Sequence, residues 1–213
     1  LQLARHPRFQ QHGLRQRLIE PDTDPPAAAP LDVAEHFIPA PLQNRRPGAA
    51  ERLADDEAAA RWLQRALEGY RPPASLRASH PGVPARLFPV FRDRDELASA
   101  HDLSDAIRHA LDDSDALVVV CSPAAAASRW VDEEIRYFRA SGRGHRIFCY
   151  LVAGQPRPGA PDCAFPSAML RDAQDEPLHE PLAADATPAG DGRRNALLRI
   201  AAGLLDVGVD ELK

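Results

Sequence analysis

Trp130 and Glu134 are the residues of this chain whose types and spacing best suit chemistry. They stand four positions apart, so on a helix they lie on the same face. That helix would follow an apolar strand over residues 117–121, which Ser122 and Pro123 end. In open α/β sheets, ligands bind beyond the carboxyl ends of such strands. A carboxylate beside an indole in this place can stabilise developing positive charge, as carboxylates do in glycoside cleavage.

A structural interpretation of the same acids stays open. Asp132, Glu133 and Glu134 are also ordinary residues of a first helical turn, where the helix dipole favours carboxylates. Arg136 and Arg139 follow closely enough to pair with them. The tryptophan borders an apolar stripe and is, on the same interpretation, a core residue.

The elements that would position these residues alternate between strand and helix. Strands are predicted at residues 86–91, 117–121 and 146–152, with a weak one near 177–182. Helices are predicted at residues 55–69, 103–111, 128–139 and 193–205. This alternation predicts a mostly parallel sheet with helices on both faces. Pro89 within the first strand places that strand at a sheet edge.

Residues 1–54 have a different character. Eight prolines stand before residue 50, and neither a helical nor a strand period is sustained there. We interpret residues 1–54 as an irregular, disordered or misread Pro-rich arm, with room for a short helix at 9–19 and a brief strand at 33–38. Residues 55–213 form the predicted domain.

Composition excludes several classes of function. The 213 residues carry 26 Lys and Arg against 31 Asp and Glu, a net charge of −5, and the arginines are scattered, which disfavours nucleic acid as a partner. Three cysteines without metal-ligand spacing fit a reducing cytoplasm and predict no metal site. No apolar run reaches the length of a membrane span, so a cytoplasmic segment without a membrane anchor is expected. Dinucleotide-fold and P-loop glycine motifs are lacking.

A series of segments, in order along the chain, resembles bacterial TIR (Toll/interleukin-1 receptor) domains. The segments that carry the resemblance are residues 87–97, 103–107, 119–123, 128–135, 142–144, 180–185, 191–198 and 203–205. Together they span about residues 55–212. The ordered combination is far more specific than any one of the motifs.

The resemblance implies a flavodoxin-like three-layer sandwich with five parallel strands. It also implies an enzyme activity found in many members, cleavage of the nicotinamide–ribose bond of NAD+. NAD+ would then be a substrate, and no cofactor is expected. The family's catalytic glutamate lies four residues after the tryptophan of the strand–Ser–Pro–helix motif, which corresponds to Glu134 here; Glu133, three residues after it, is a weaker candidate.

Residues 92–101 correspond to the family's BB loop, which flanks the cleft and mediates contacts between TIR domains. The resemblance therefore assigns Trp130, Arg92 and Arg94 to substrate binding, the arginines to the dinucleotide phosphates. It assigns the other charged residues of the loop to association with TIR domains, including a second copy of this chain on activation. These residues are Asp93, Asp95, Glu96 and His101. A solvated surface loop is the alternative.

One family feature is not found in the sequence. The family's first strand, roughly Phe-Ile-Ser-Tyr-Ser, would directly precede Asp55, and the nearest candidate, residues 36–41, contains two prolines. The first strand is therefore expected to be missing or degenerate, although it should be central and its end should face the catalytic glutamate. Two functions stay open: an NAD+ hydrolase in self-association-dependent signalling or defence, and a non-catalytic TIR–TIR interaction module.

Overall fold

The computed structural model describes residues 2–5, 49–92, 103–178 and 181–213. The strands of these ranges are β1 (Gln2–Arg5), β2 (Val90–Arg92), β3 (Ala116–Cys121), β4 (Ile147–Leu151) and β5 (Ala183–Asp185). The helices are α1 (Ala49–Gly69), α2 (Ala74–Ser79), α3 (Leu103–Asp112), α4 (Pro123–Ala126), α5 (Arg129–Phe138), α6 (Ser167–Leu170) and α7 (Gly192–Leu205).

The strands form one sheet in the order β2-β1-β3-β4-β5. β3, β4 and β5 are parallel, with Val119 opposite Cys149 and Tyr150 opposite Ala184. All six residues of β3 are buried, as expected of a parallel strand covered on both faces. The predicted α/β class with a parallel sheet is confirmed.

The place of the missing first strand is filled in an unexpected way. β1, from the segment interpreted as an irregular arm, lies between β2 and β3 and is antiparallel to both. The family resemblance implied five parallel strands, and this one runs the other way. The sequence pattern could not predict β1, because four residues are too few to establish a period. The backbone hydrogen bonds of a strand also form with almost any side chains.

Helices cover both faces of the sheet and produce the three predicted layers. On one face, Leu63 and Leu67 of α1 and Ile200 of α7 pack with Val118 and Val120. On the other face, the alternate residues of β3 pack beneath α5. This second cluster includes Leu117, Val119, Ile135 and Phe138. The alternation places α1 and α5 on opposite sides of the sheet.

Most of the predicted elements are present with shifted ends. The helix predicted from Asp55 begins at Ala49, because the residues before Asp55 include Ala, Glu, Arg and Leu, which favour helix. The strand predicted at residues 86–91 is the shorter β2, which begins directly after Pro89 and lies at the sheet edge as expected. β5 lies just beyond the predicted residues 177–182. The helix and strand predicted at 9–19 and 33–38 fall outside the described residues.

The edge strand β2 is fastened to α1 by side chains. The Glu68 carboxylate accepts a hydrogen bond from the Val90 amide at 3.2 Å, and the Gln64 amide nitrogen donates to the Val90 carbonyl at 3.0 Å. Side chains that satisfy an edge backbone in this way discourage pairing with another chain. Among the described helices, none is long and apolar enough to cross a membrane.

Candidate functional site

α5 begins at the carboxyl edge of the sheet because two serine caps turn the chain there. The Ser122 hydroxyl accepts a hydrogen bond from the Ala125 amide at 3.1 Å and starts α4 directly after β3. Ser128 accepts from the Val131 amide and starts α5. β-region caps of this kind satisfy amides that a helix start leaves without partners. The carboxyl end of β3 therefore leads within a few residues to Trp130 and Glu134.

α3 lies beside α5 and runs in the same direction. The Tyr137 hydroxyl, near the end of α5, donates to the Asp112 carboxylate at the end of α3, with oxygen–oxygen distances of 2.9 and 3.0 Å. Arg143 adds hydrogen bonds to the carbonyls of Leu111, at 3.0 Å, and of Ser114. Because the carboxyl ends of α3 and α5 are tied together, their amino ends, at Leu103 and Arg129, lie at the same edge of the sheet.

One flank of α5 is structural. The Asp132 carboxylate accepts hydrogen bonds from the Ser167 hydroxyl at 2.5 Å and the Ala168 amide at 2.9 Å, at the start of α6. Arg136 donates to the Asp172 carbonyl at 3.2 Å, and Arg139 donates to the Ala168 carbonyl. Asp132 thus has a structural role and anchors the chain between β4 and β5, with Ser167 and Ala168 as its partners in place of the predicted Arg136 and Arg139.

The opposite flank carries Trp130 and Glu134. Trp130 is 58% exposed, so it is not a core residue, and the Arg129 guanidinium lies over its ring, 4.5 Å from the centroid. Glu134 is partly buried one turn along, beside the stripe of Val131, Ile135 and Phe138 that packs on the sheet. The structure therefore brings together an exposed indole, with Arg129 over one side of its ring, and a partly buried carboxylate beyond the end of β3. Glu133 is exposed.

Of the other predicted site residues, the structure describes Arg92 alone. Arg92 ends β2 and is only 1% exposed, and its Nε donates to the Gln64 side-chain oxygen of α1 at 3.2 Å. Contact between Arg92 and phosphate stays a prediction, and a buried guanidinium favours an internal role. The remaining five, Asp93, Arg94, Asp95, Glu96 and His101, lie outside the described residues.

A buried pair, Asp56 and Ser122, was missed by the sequence analysis. Asp56 on α1 is 4% exposed, and its carboxylate accepts a hydrogen bond from the Ser122 hydroxyl at 2.5 Å. Burial raises the pKa of Asp56, and the hydrogen bond from Ser122 opposes this rise. The available signal was its spacing, because Asp56 shares the helical face of Ala60, Leu63 and Leu67. The pair ties α1 to the end of β3.

This raised pKa predicts how Asp56→Asn changes stability with pH. A carboxyl whose pKa is higher folded than unfolded binds its proton more tightly in the native state, so its contribution to stability falls as pH rises above about 4. Asn carries no charge and still offers Ser122 an acceptor. We expect Asp56→Asn to gain stability over the wild type as pH rises from 4 to 7, measured by urea unfolding.

A second substitution serves as the control for this result. Asp56→Ala also removes the titrating carboxyl but leaves the buried Ser122 hydroxyl without its acceptor, so it should be about 1–3 kcal/mol less stable than Asp56→Asn at both pH values. An advantage of Asp56→Asn that shrinks or reverses between pH 4 and pH 7 would contradict the assignment.

The described side chains offer no evident metal centre. Within the described ranges, no group of three or more His, Cys, Asp or Glu residues could hold a metal ion. The three cysteines are free thiols, with Cys121 and Cys149 buried and Cys163 partly buried. The described side chains at this edge that could take part in chemistry are the Glu134 carboxylate and the Trp130 indole.

Comparisons with known proteins agree with this architecture. Residues 52–155 match the family model of the TIR-like domain of the Thoeris protein ThsB. Over 70 residues the chain is 39% identical to the NAD(+) hydrolase ApTIR of Actinoplanes sp. (strain ATCC 31044 / CBS 674.73 / SE50/110). The matched segment covers 33% of this chain and 10% of that relative. No solved structure gives a significant match.

Proposed function

The chain carries a bacterial TIR-like domain, and from this premise we propose that it cleaves the nicotinamide–ribose bond of NAD+ with Glu134 as the catalytic residue. The observation that carries the proposal is the joint placement of an exposed Trp130 and a partly buried Glu134 beyond the end of β3. The matched relative named as an NAD(+) hydrolase supports the choice of substrate.

The proposed chemistry needs a negative charge close to the ribose. As the bond between ribose C1′ and the nicotinamide nitrogen breaks, its electron pair moves to that nitrogen, and C1′ and O4′ share the positive charge of an oxocarbenium ion. A fixed carboxylate stabilises this charge more than that of the ground state. Water then adds to C1′ and releases a proton, which gives nicotinamide, ADP-ribose and H+.

The partial burial of Glu134 suits a carboxylate that stabilises the oxocarbenium ion. Its neighbours Val131 and Ile135 pack against the sheet and fix the helix, so the carboxylate needs little reorganisation when charge develops. The side of the Trp130 ring that Arg129 does not cover can pack on the nicotinamide or the ribose. Free thiols fit a reducing cytoplasm, where we place the protein.

Self-association is the second part of the proposal. The charged residues of positions 92–101 would contact other TIR domains, as the family resemblance implies, and association of copies would switch on hydrolysis in signalling or defence. Purified protein incubated with NAD+ over a hundredfold range of concentration should release nicotinamide at a rate per molecule that rises with concentration. A rate per molecule that stays constant would contradict activation by association, and no release at the highest concentration would contradict the hydrolase.

The orientation of β1 favours a second candidate, a non-catalytic interaction module. The family's first strand points its carboxyl end at the glutamate, whereas β1 points that end away, because it runs antiparallel to β3. The wall opposite Glu134 is then built from other residues. For such a module, light scattering would show self-association that Glu134→Gln leaves unchanged, with NAD+ intact.

A further inference from the structure

A cavity lies on the face of the sheet opposite Glu134. It has a volume of about 300 Å³ and opens beyond the carboxyl ends of β4 and β5, between α1 and the start of α7. Its lining consists of Ala59, Val152, Ala186, Pro188, Gly192 and Arg193. Ala186 belongs to the core formed with α1 and α7, whereas Ile135 next to Glu134 belongs to the core of the other face. The cavity is therefore separate from the proposed catalytic site.

The buried hydroxyl of Tyr150, which is close enough to Arg193 to feel its charge but is not part of the cavity lining, lacks a partner. Tyr150 lies two residues before Val152 on β4, its side chain is completely buried, and no described residue forms a hydrogen bond with its hydroxyl. Burial raises the pKa of Tyr150 to about 12, while the nearby charge of Arg193 opposes the rise. The hydroxyl is therefore a protonated donor at neutral pH. Buried hydroxyls without a partner are rare and call for an explanation.

Arg193 and the start of α7 bring positive charge to the cavity. Arg193 lines the cavity, and its guanidinium lies over the Trp62 ring, 5.8 Å from the centroid. α7 is 14 residues long and starts here, and no side-chain cap occupies the amides of its first turn. The carboxylate of its N-cap residue, Asp191, instead forms a salt bridge with Arg199, with 2.8 Å between Oδ2 and Nε. A helix start of this kind attracts phosphate groups.

The lining residues other than Arg193 and Gly192 are apolar and suit the uncharged portion of a ligand. Ala59, Val152, Ala186 and Pro188 present apolar surface, as most small-molecule cavities do around a few polar groups. The volume is at the lower end for ligand sites and accommodates a molecule of mononucleotide size rather than a dinucleotide. Gly192, in the left-handed region with φ of 75°, has open space where a Cβ would stand, so the backbone there is accessible.

We propose that this cavity binds a small phosphate ester of mononucleotide size. The phosphate would lie at the start of α7 against Arg193, and the uncharged part would lie on the apolar lining. Tyr150 is buried and is not part of the lining in the free protein, so its hydroxyl would donate the hydrogen bond that it lacks only once the ligand has displaced the lining in front of it. The proposal does not depend on catalysis at Glu134, because the two sites lie on opposite faces of the sheet.

AMP is the probe for the test, with adenosine and inorganic phosphate as partial ligands. Isothermal titration of the whole chain should show AMP binding at least tenfold more tightly than either of them. Arg193→Ala should weaken AMP binding at least tenfold. Its matched control is Arg194→Ala. Arg194 follows Arg193 directly in α7, is exposed, and is not part of the cavity lining. This control should leave the affinity unchanged.

Tyr150→Phe gives a signature that a merely structural residue would not give. Removing a buried hydroxyl without a partner should raise the melting temperature of the free protein, while the stabilisation by AMP should decrease. Equal effects of Arg193→Ala and Arg194→Ala would overturn the proposal, as would adenosine binding as tightly as AMP. AMP that fails to bind at millimolar concentration would also overturn it, whatever the outcome for NAD+ cleavage.

Discussion

Replacing Glu134 by glutamine is expected to lower the rate of nicotinamide release from NAD+ by about 100- to 1000-fold, the usual cost of losing one group that stabilises transition-state charge. Glutamine has nearly the size of glutamate, so the packing beside Val131 and Ile135 should be preserved. What is lost is the negative charge that would face the ribose. Chromatographic measurement of nicotinamide from purified proteins gives the two rates.

Binding and stability measurements separate this effect from a folding defect. Glu134→Gln should melt within a few degrees of the wild type, because the residue is only partly buried and lies at the border of the apolar stripe. The Michaelis constant should change much less than the turnover number, as expected when an interaction acts mainly in the transition state. A loss of substrate binding with unchanged turnover would contradict the role proposed for Glu134.

Ala4→Pro is expected to cause the largest loss of stability, about 2–4 kcal/mol, because a proline removes a ladder hydrogen bond and imposes its own φ within a central strand. Ala4 lies in β1 opposite Phe91 of β2 and Leu117 of β3, so the pairing on both sides is affected. Urea unfolding followed by circular dichroism measures the loss. This substitution tests the position of β1 in the middle of the sheet.

Gln2→Pro is the matched control for the strand. Gln2 is the first residue of β1, a position at which proline is tolerated, so the cost should stay below about 1 kcal/mol. Equal unfolding midpoints for Ala4→Pro and the wild type would show that β1 does not pair between β2 and β3.

The middle of the domain follows closely from its sequence. β3 and β4 are continuous apolar runs, and α5 places Val131, Ile135 and Phe138 at helical spacing, so strong local patterns coincide with burial in the structure. α7 begins within one residue of its predicted start. These patterns also placed Trp130 and Glu134 at the edge where ligands of such sheets bind.

The remaining features depend on contacts between distant parts of the chain. Asp56 and Ser122 are 66 residues apart, and only the folded sheet brings them together. The charged sequence around Arg92 does not predict that this residue is buried, because its contact with Gln64 of α1 forms only in the folded chain. Tyr150 lies within an apolar run, so its hydroxyl without a partner is visible only once the strand is packed. Periodicity also could not decide whether Trp130, at the border of a stripe, is buried.

The most direct test compares nicotinamide release by the wild type, Glu133→Gln and Glu134→Gln in one assay at equal high concentration. Both substitutions remove one negative charge from neighbouring positions of α5, but Glu133 is exposed and lies on another face of the helix. We predict that Glu133→Gln keeps a rate close to that of the wild type and that Glu134→Gln loses at least about 100-fold. Equal rates for the two variants would contradict the assignment of catalysis to Glu134.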